Sequence, residues 1–143
     1  MRRIILGTNV IVSASIAQGY SRRIVRSILL ETELFKICLT QDILNEYEKV
    51  SNYNRIQKKY NEFKSNMIEI ITILTNISIS YRPSKKFAII KDVTDNVFIE
   101  AAYESKANYL ITDNHNDFSI TEFEQTQIVS PKKFCELYDQ NAL

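Results

Sequence analysis

The sequence predicts an α/β domain with a mostly parallel central sheet, and three observations carry that prediction. Short apolar runs alternate with amphipathic segments from one end of the chain to the other, the order that covers a parallel sheet with helices on both faces. The length of 143 residues with 45% hydrophobic composition suits one compact core, because two independent domains of this total length would each be marginal. A single domain over 1–143 is therefore expected. Only two glycines occur, and neither Gly-x-Gly-x-x-Gly nor Gly-Lys-Ser/Thr is present, which argues against a glycine-rich nucleotide loop.

Each element follows from its own residues. Ile4-Ile5-Leu6 is too short to alternate and reads as a buried strand. Gly7-Thr8-Asn9 then forms a strand-end turn, and a helical segment begins near Val10 and breaks around Gln18-Gly19. From Ser21 to about Glu31, Ile24 and Ile28 share one face while Arg22, Arg23 and Arg26 lie largely on another, which is an amphipathic helix. A second strand is expected over Phe35–Leu39. Thr40 offers an N-cap for a helix carrying Ile43, Leu44, Tyr47 and Val50.

Residues 53–76 read as a long helix or a helical pair, with Tyr60, Phe63, Met67, Ile70 and Leu74 at three- and four-residue steps. Arg55, Lys58, Lys59 and Lys64 give that segment a basic side. Ile77 and Ile79 alternate with Ser78 and Ser80, the pattern of a strand with one exposed side. Residues 82–86 form a polar loop. A helix is expected over 96–105 with Phe98, Ala101 and Ala102 on its apolar face, then a strand over 109–112. Residues 113–126 are polar and irregular, and 127–129 form the last strand. Ser130-Pro131 starts the final helix, a capping hydroxyl followed by proline at the first helical position.

Composition narrows the functional classes. No apolar run reaches the roughly 20 residues of a membrane span, and the N-terminal run reads as the first strand rather than a signal peptide. Cys38 and Cys135 have no cysteine neighbours at metal-ligand spacing, so they read as buried thiols in a reducing compartment, and the cytoplasm is the expected location. The formal net charge is only +1 but is unevenly placed. Residues 1–91 hold 15 Lys or Arg against 7 Asp or Glu, while residues 92–143 hold 3 against 10. Such a split can steer a polyanion to one side while an acidic cluster binds a cation on another, or it can be ordinary solvated surface.

In an open α/β sheet, ligands collect beyond the carboxyl ends of the strands. Glu46 falls in the helix after the second strand, Asp95 at the start of the helix before the fourth, and Asp113 and Asp117 directly after the fourth. Hard oxygen ligands at this density suit Mg²⁺ or Mn²⁺. Carboxylates brought together repel one another without a cation. Each residue also has a plainer role open to it: Glu46 as a solvated helix residue, Asp95 as a helix cap, Asp113 and Asp117 as turn formers, Thr8 and Asn9 as caps of the first helix. His115 lies in a polar loop without partners for nucleophile activation. Tyr20 with Arg22, Arg23 and Arg26 suits either a phosphate backbone or a protein face.

Several stretches, in order, resemble the PIN-domain nucleases, and most closely the toxin components of prokaryotic toxin–antitoxin systems. They are the opening Ile4-Ile5-Leu6-Gly7-Thr8-Asn9-Val10-Ile11-Val12-Ser13-Ala14, then Leu44-Asn45-Glu46-Tyr47-Glu48-Lys49-Val50, then Asp92-Val93-Thr94-Asp95-Asn96-Val97-Phe98. Ala107-Asn108-Tyr109-Leu110-Ile111-Thr112-Asp113, Asp117-Phe118 and Ile128-Val129-Ser130-Pro131-Lys132-Lys133-Phe134 complete the series. The resemblance implies a PIN-like three-layer α/β/α sandwich and a Mg²⁺- or Mn²⁺-dependent endoribonuclease acting on single-stranded or structured RNA. It further implies a homodimer and a cognate antitoxin as partner. Glu46, Asp95 and Asp117 would be the metal-binding acids, with Thr8 ordering a carboxylate or a water and Asn9 bracing the turn. Asp113 is the alternative to Asp117. Asp92 is a supporting acid, and Asn114 stands where the family's loop acid often lies. Arg22, Arg23, Arg26, Lys58 and Lys59 are the candidates for guiding the RNA backbone.

One departure bears on activity. The family's first metal-binding aspartate belongs at Gly7, where this chain has no side chain. Its absence removes a ligand and a negative charge together, so metal affinity and rate are both expected to fall. Two further readings follow: a catalytically inactive RNA- or protein-binding module of the same fold, and a nuclease of single-stranded DNA or flaps.

Overall fold

The computed structural model describes residues 1–113 and 120–143. Among the described residues, six strands and seven α-helices alternate: β1 (Arg2–Leu6), α1 (Thr8–Ile16), α2 (Tyr20–Leu30), β2 (Phe35–Leu39), α3 (Gln41–Ser51), α4 (Asn54–Lys59), α5 (Phe63–Ile77), β3 (Ile79–Ser80), α6 (Asn96–Ser105), β4 (Tyr109–Ile111), β5 (Glu122–Phe123), β6 (Thr126–Val129) and α7 (Pro131–Asp139). A 3-10 turn, Val93–Asp95, leads into α6. The expected mixed α/β fold with a mostly parallel sheet is present.

The sheet order is β3-β2-β1-β4-β6-β5. All neighbours are parallel except β5 and β6. Consecutive residues Ile4, Ile5 and Leu6 of β1 are buried, as are Ile37, Cys38 and Leu39 of β2 and Tyr109, Leu110 and Ile111 of β4. Successive strand side chains point to opposite faces, so burial of every residue means that both faces are covered. On the α1 side, Ile24, Val25 and Ile28 of α2 and Phe63, Met67 and Leu74 of α5 join the core. Phe98, Ile99, Ala101 and Ala102 supply the buried stripe of α6, which packs on β1 and β2.

The chain order creates a switch point. From central β1 the chain builds outward through β2 to β3, then crosses back through α6 to lay β4 on the other side of β1. The connections leaving β1 and β4 therefore diverge, and they open a crevice at the carboxyl ends of these two strands. The register brings Leu6 beside Ile111, and the Gly7 amide continues the ladder to the Ile111 carbonyl at 2.8 Å.

Local signals explain most boundaries. The Thr40 hydroxyl accepts from the Ile43 amide at 3.2 Å and starts α3, and the Ser130 hydroxyl accepts from the Lys133 amide at 3.0 Å and starts α7. Residues 53–76 divide into two helices, with Tyr60 at the break in an extended conformation. Two expectations are corrected. Ile77 belongs to the last turn of α5 rather than to a strand, and Ser78, whose hydroxyl donates to the Thr75 carbonyl at 2.9 Å, closes that helix. The segment read as irregular contains β5, which pairs antiparallel with β6. Glu124, at the turn between them, has φ 52°, an uncommon conformation for a residue with a side chain.

Candidate functional site

A cleft of about 470 Å³ opens at the switch point. Its floor is the β1–α1 junction, where Gly7, Thr8, Asn9 and Val12 line it. Glu46 and Lys49 reach it from α3, and Tyr53, Arg55 and Ile56 from the α3–α4 corner. Asp92, Thr94, Asp95 and Phe98 close it from the crossover into α6, and Thr112 from the end of β4.

Local hydrogen bonds position the segments that carry the acids. Tyr47, fully buried beside Glu46 in sequence, donates its hydroxyl to the Leu6 carbonyl. That bond ties α3 to the last residue of β1 and so fixes the height of Glu46 above the β1 end. Burial pushes the Tyr47 hydroxyl far above its ordinary pKa, so it stays a donor throughout the accessible pH range. Asp95 occupies the N-cap position of α6, yet its side chain makes no capping hydrogen bond. The plain capping role therefore does not account for it. Asp92 does act locally: its Oδ1 accepts from the Thr94 amide at 3.0 Å and the Thr94 hydroxyl at 2.8 Å, and its carbonyl accepts from the Asp95 amide at 3.1 Å.

Asn96 anchors the segment that delivers these acids. It is almost fully buried, and its Oδ1 accepts from the Ile89 and Ile90 amides at 3.0 and 2.9 Å while its Nδ2 donates to the Ile90 carbonyl at 2.9 Å. One helical turn on, Glu100 Oε2 accepts from the Phe87 amide at 3.0 Å, and a further turn on Glu104 accepts from the Ser84 amide at 2.6 Å. The Lys86 ammonium lies 3.5 Å from Glu100 Oε1 and 3.6 Å from Asp42. A segment without regular structure is thus held by a stripe of acceptors on α6.

Gly7 sits at the centre of the floor. Its backbone, φ −65° and ψ 155°, is extended and open to any residue. Space is the constraint: a Cβ there would lie 3.1 Å from the Thr112 Cβ, 3.2 Å from Thr112 Oγ1 and 3.2 Å from the Ile111 carbonyl oxygen. Thr112 is packed against the position where the resemblance places an aspartate.

The structure brings together Gly7, Thr8, Asn9, Glu46, Asp92 and Asp95. Asp113 is exposed and lines a different depression with Ser13, Tyr20 and Lys132. Asn114 and Asp117 lie outside the described residues, as does His115. The basic candidates are dispersed. Arg22 Nε donates to the Ala14 carbonyl at 2.9 Å, Arg23 pairs with Asp139 of α7, and Arg26 lines a groove with Glu62 and Glu69. Lys58 and Lys59 are exposed on α4, with the Lys59 ammonium 5.6 Å from the centre of the Tyr60 ring. Lys49 and Tyr53 are cleft residues that sequence reasoning did not select, and Arg55 was read only as part of the basic side of residues 53–76. The three-residue step from Glu46 to Lys49, which sets both on one helix face, was the available signal.

The donor set agrees in kind with a hard divalent cation: carboxylates at Glu46, Asp92 and Asp95 and a hydroxyl at Thr8. It is short in number. Among the described residues, no three His, Cys, Asp or Glu side chains stand close enough to share one ion, and Gly7 contributes none.

A mostly parallel α/β sheet with an acid-bearing cleft at its switch point defines an α/β domain whose ligand site lies where that class places it. A family model described as "PIN domain" matches residues 3–116, and the chain belongs to that family. PIN domains are generally nucleases and typically use divalent metals. The chain is also 28% identical over 91 residues to an uncharacterized protein of Methanocaldococcus jannaschii, a match covering 58% of this chain and 58% of that protein. It thus spans well under two thirds of the length of that relative. No solved structure matches significantly. Among the described residues, no helix is long and apolar enough to cross a membrane.

Proposed function

We propose that the chain is a PIN-domain endoribonuclease, the toxin half of a toxin–antitoxin pair, with its activity lowered by Gly7. The observation that carries this reading is the convergence of Glu46, Asp95 and Thr8 on one switch-point cleft in a chain of the PIN family. Glu46 and Asp95, with Asp117, would hold Mg²⁺ or Mn²⁺. When bound, the ion supplies positive charge against the phosphate and acidifies a water for attack. The protein's own part is positional. Tyr47 holds Glu46 at the β1 end, Asn96 holds the 89–92 backbone that leads to Asp95, and Thr8 orients a water through its hydroxyl. With Gly7 lacking a carboxylate, the site carries less charge against the ion, so binding and turnover fall together. A homodimer in the cytoplasm, silenced by its antitoxin, completes the reading.

The test is cleavage of single-stranded RNA and DNA of equal sequence in Mn²⁺ and in EDTA, by the native chain, Gly7→Asp and Gly7→Asp/Glu46→Gln. The expected result is weak, metal-dependent RNA cleavage by the native chain. It rises with the first substitution and is lost with the second. Preferential DNA cleavage would move the substrate to single-stranded DNA or flaps. Absence of cleavage by all three folded proteins would refute the nuclease reading. Gly7 itself favours the second reading, a binding module that has lost its chemistry, which predicts RNA or protein binding indifferent to chelator.

A further inference from the structure

We infer that Lys49, Tyr53 and Arg55 form a nucleotide subsite that takes one phosphate and one unpaired base of a single strand, without help from a metal ion. The inference rests on the nucleic-acid reading of the cleft and names how this wall of it recognises its ligand.

Three observations support the subsite. The first is unbalanced charge at close quarters. Among the described residues, the ion pairs are Arg23 with Asp139 and Lys86 with Asp42 and Glu100, so Lys49 and Arg55 line the cleft without a carboxylate partner. They stand on the α3–α4 side together with Glu46, whereas Asp92 and Asp95 stand on the crossover side. The α3–α4 wall carries two cations against one acid and the crossover wall two acids without a cation, which sets which wall a phosphate faces.

The second is the state of the Tyr53 ring. Five other tyrosines are engaged: Tyr47 donates to Leu6, Tyr138 donates to Glu31, Tyr109 packs edge-on against Phe134, and lysines lie over Tyr60 and Tyr103, while Tyr20 is exposed outside the cleft. Tyr53 makes no such contact among the described residues, lines the cleft and keeps 37% of its surface exposed. The third is a rigid mount. The Tyr53 amide donates to the Val50 carbonyl at 3.0 Å and its carbonyl accepts from the Gln57 amide at 3.2 Å, so the backbone is fixed between two helices at a residue that lines the cleft. Val50 and Ile56 flank it with apolar surface. A base stacked on a fixed aromatic ring, with cations beside it for the adjoining phosphate, is how single strands are held without sequence readout. A duplex, whose bases are already stacked, offers no face to Tyr53.

The experiment is fluorescence anisotropy of an end-labelled oligouridylate with EDTA present throughout, so that neither cleavage nor metal enters. Tyr53→Ala should weaken binding by about 5- to 150-fold, the range for one stacked base, while Tyr53→Phe should bind as the native chain does. Arg55→Gln and Lys49→Gln should each reduce the slope of log affinity against log salt by about 0.7, the value for one phosphate of a single strand. Lys133→Gln, which removes a charge from α7 outside the cleft, should leave the slope unchanged. Circular dichroism checks that each variant is folded. Native-like binding by Tyr53→Ala and Arg55→Gln, equal affinity for a duplex, or binding that appears only with Mn²⁺ would overturn the inference. The last result would leave the nuclease reading standing. Conversely, the predicted binding pattern without cleavage by any variant would sink the nuclease reading and keep the subsite.

Discussion

Replacing Gly7 with aspartate tests the site at its centre, and the structure sets the size of the effect. The backbone there is extended, so the new residue carries no penalty in φ. Removing glycine also restricts the unfolded chain, which favours folding by roughly 0.4–1 kcal/mol. Against this stand three contacts at 3.1–3.2 Å, to the Thr112 Cβ and Oγ1 and to the Ile111 carbonyl. Each is tight enough that a neighbour must move by a few tenths of an ångström. Overpacking of this kind typically costs about 1–3 kcal/mol, and a further carboxylate in a cleft holding Glu46, Asp92 and Asp95 adds like-charge repulsion. In EDTA the variant should therefore lose about 1–2 kcal/mol net, a melting temperature roughly 3–8 °C below that of the native chain. Mn²⁺ reverses the sign of the electrostatic part. At a hundred times its Kd the ion returns about 2.7 kcal/mol, so the variant should show a larger Mn²⁺-induced rise than the native chain. Thr112→Ala removes the Oγ1 contact and should recover part of the loss when combined with Gly7→Asp. Scanning calorimetry with and without Mn²⁺ reads all of this. A variant that melts with the native chain in EDTA and gains nothing from Mn²⁺ would refute the reasoning on both counts.

Other substitutions probe the supports of the site. Tyr47→Phe removes the hydroxyl that the Leu6 carbonyl accepts and should cost about 1–2 kcal/mol in urea denaturation. Asn96→Leu strands the Ile89 and Ile90 amides and the Ile90 carbonyl and should cost about 2–4 kcal/mol. Asn96→Asp keeps the two accepted bonds but sets a carboxylate oxygen against the Ile90 carbonyl, so its cost should shrink at low pH, where the protonated carboxyl can donate there. Burial pushes the Cys38 and Cys135 thiols up, which lowers their thiolate fraction at neutral pH. Both should resist iodoacetamide in the folded protein at pH 7.5 and react once it is denatured, with labelling followed by mass spectrometry.

Much of the fold was legible because its signals are local. Thr40 and Ser130 cap the helices that follow them, as their hydroxyls and positions suggest. Ile4-Ile5-Leu6 is a strand buried on both faces, as a short unbroken apolar run in a parallel sheet should be. What was misread was ambiguous locally. The Ile77 to Ser80 alternation is four residues long, too short to separate a strand from a helix end. The β5–β6 turn hides because Glu124, not glycine or asparagine, takes its left-handed position. At the site, Glu46 and Asp95 could be picked out by type and place in the order of elements. Lys49 shares the helix face of Glu46 and was legible by that spacing, whereas the convergence of Tyr53 and Arg55 on them depends on the angle at which α4 leaves α3. Asn96 was read only as part of a motif, since its bonds reach back to residues 89 and 90 across the turn.

The acceptor stripe of Asn96, Glu100 and Glu104 has a consequence for how this region can vary. Connections between elements usually absorb insertions and deletions, because their backbone groups face water. Here the amides of Ser84, Phe87, Ile89 and Ile90 are matched, in reverse order, to three side chains spaced four residues apart on one helix. Adding or removing one residue between 84 and 90 would slip that pairing and drag Asp92 and Asp95 out of step with the cleft. The crossover is therefore length-specified like a strand in a sheet, although it has no regular structure of its own. In homologous chains, gaps should fall outside it, even where its side chains change freely.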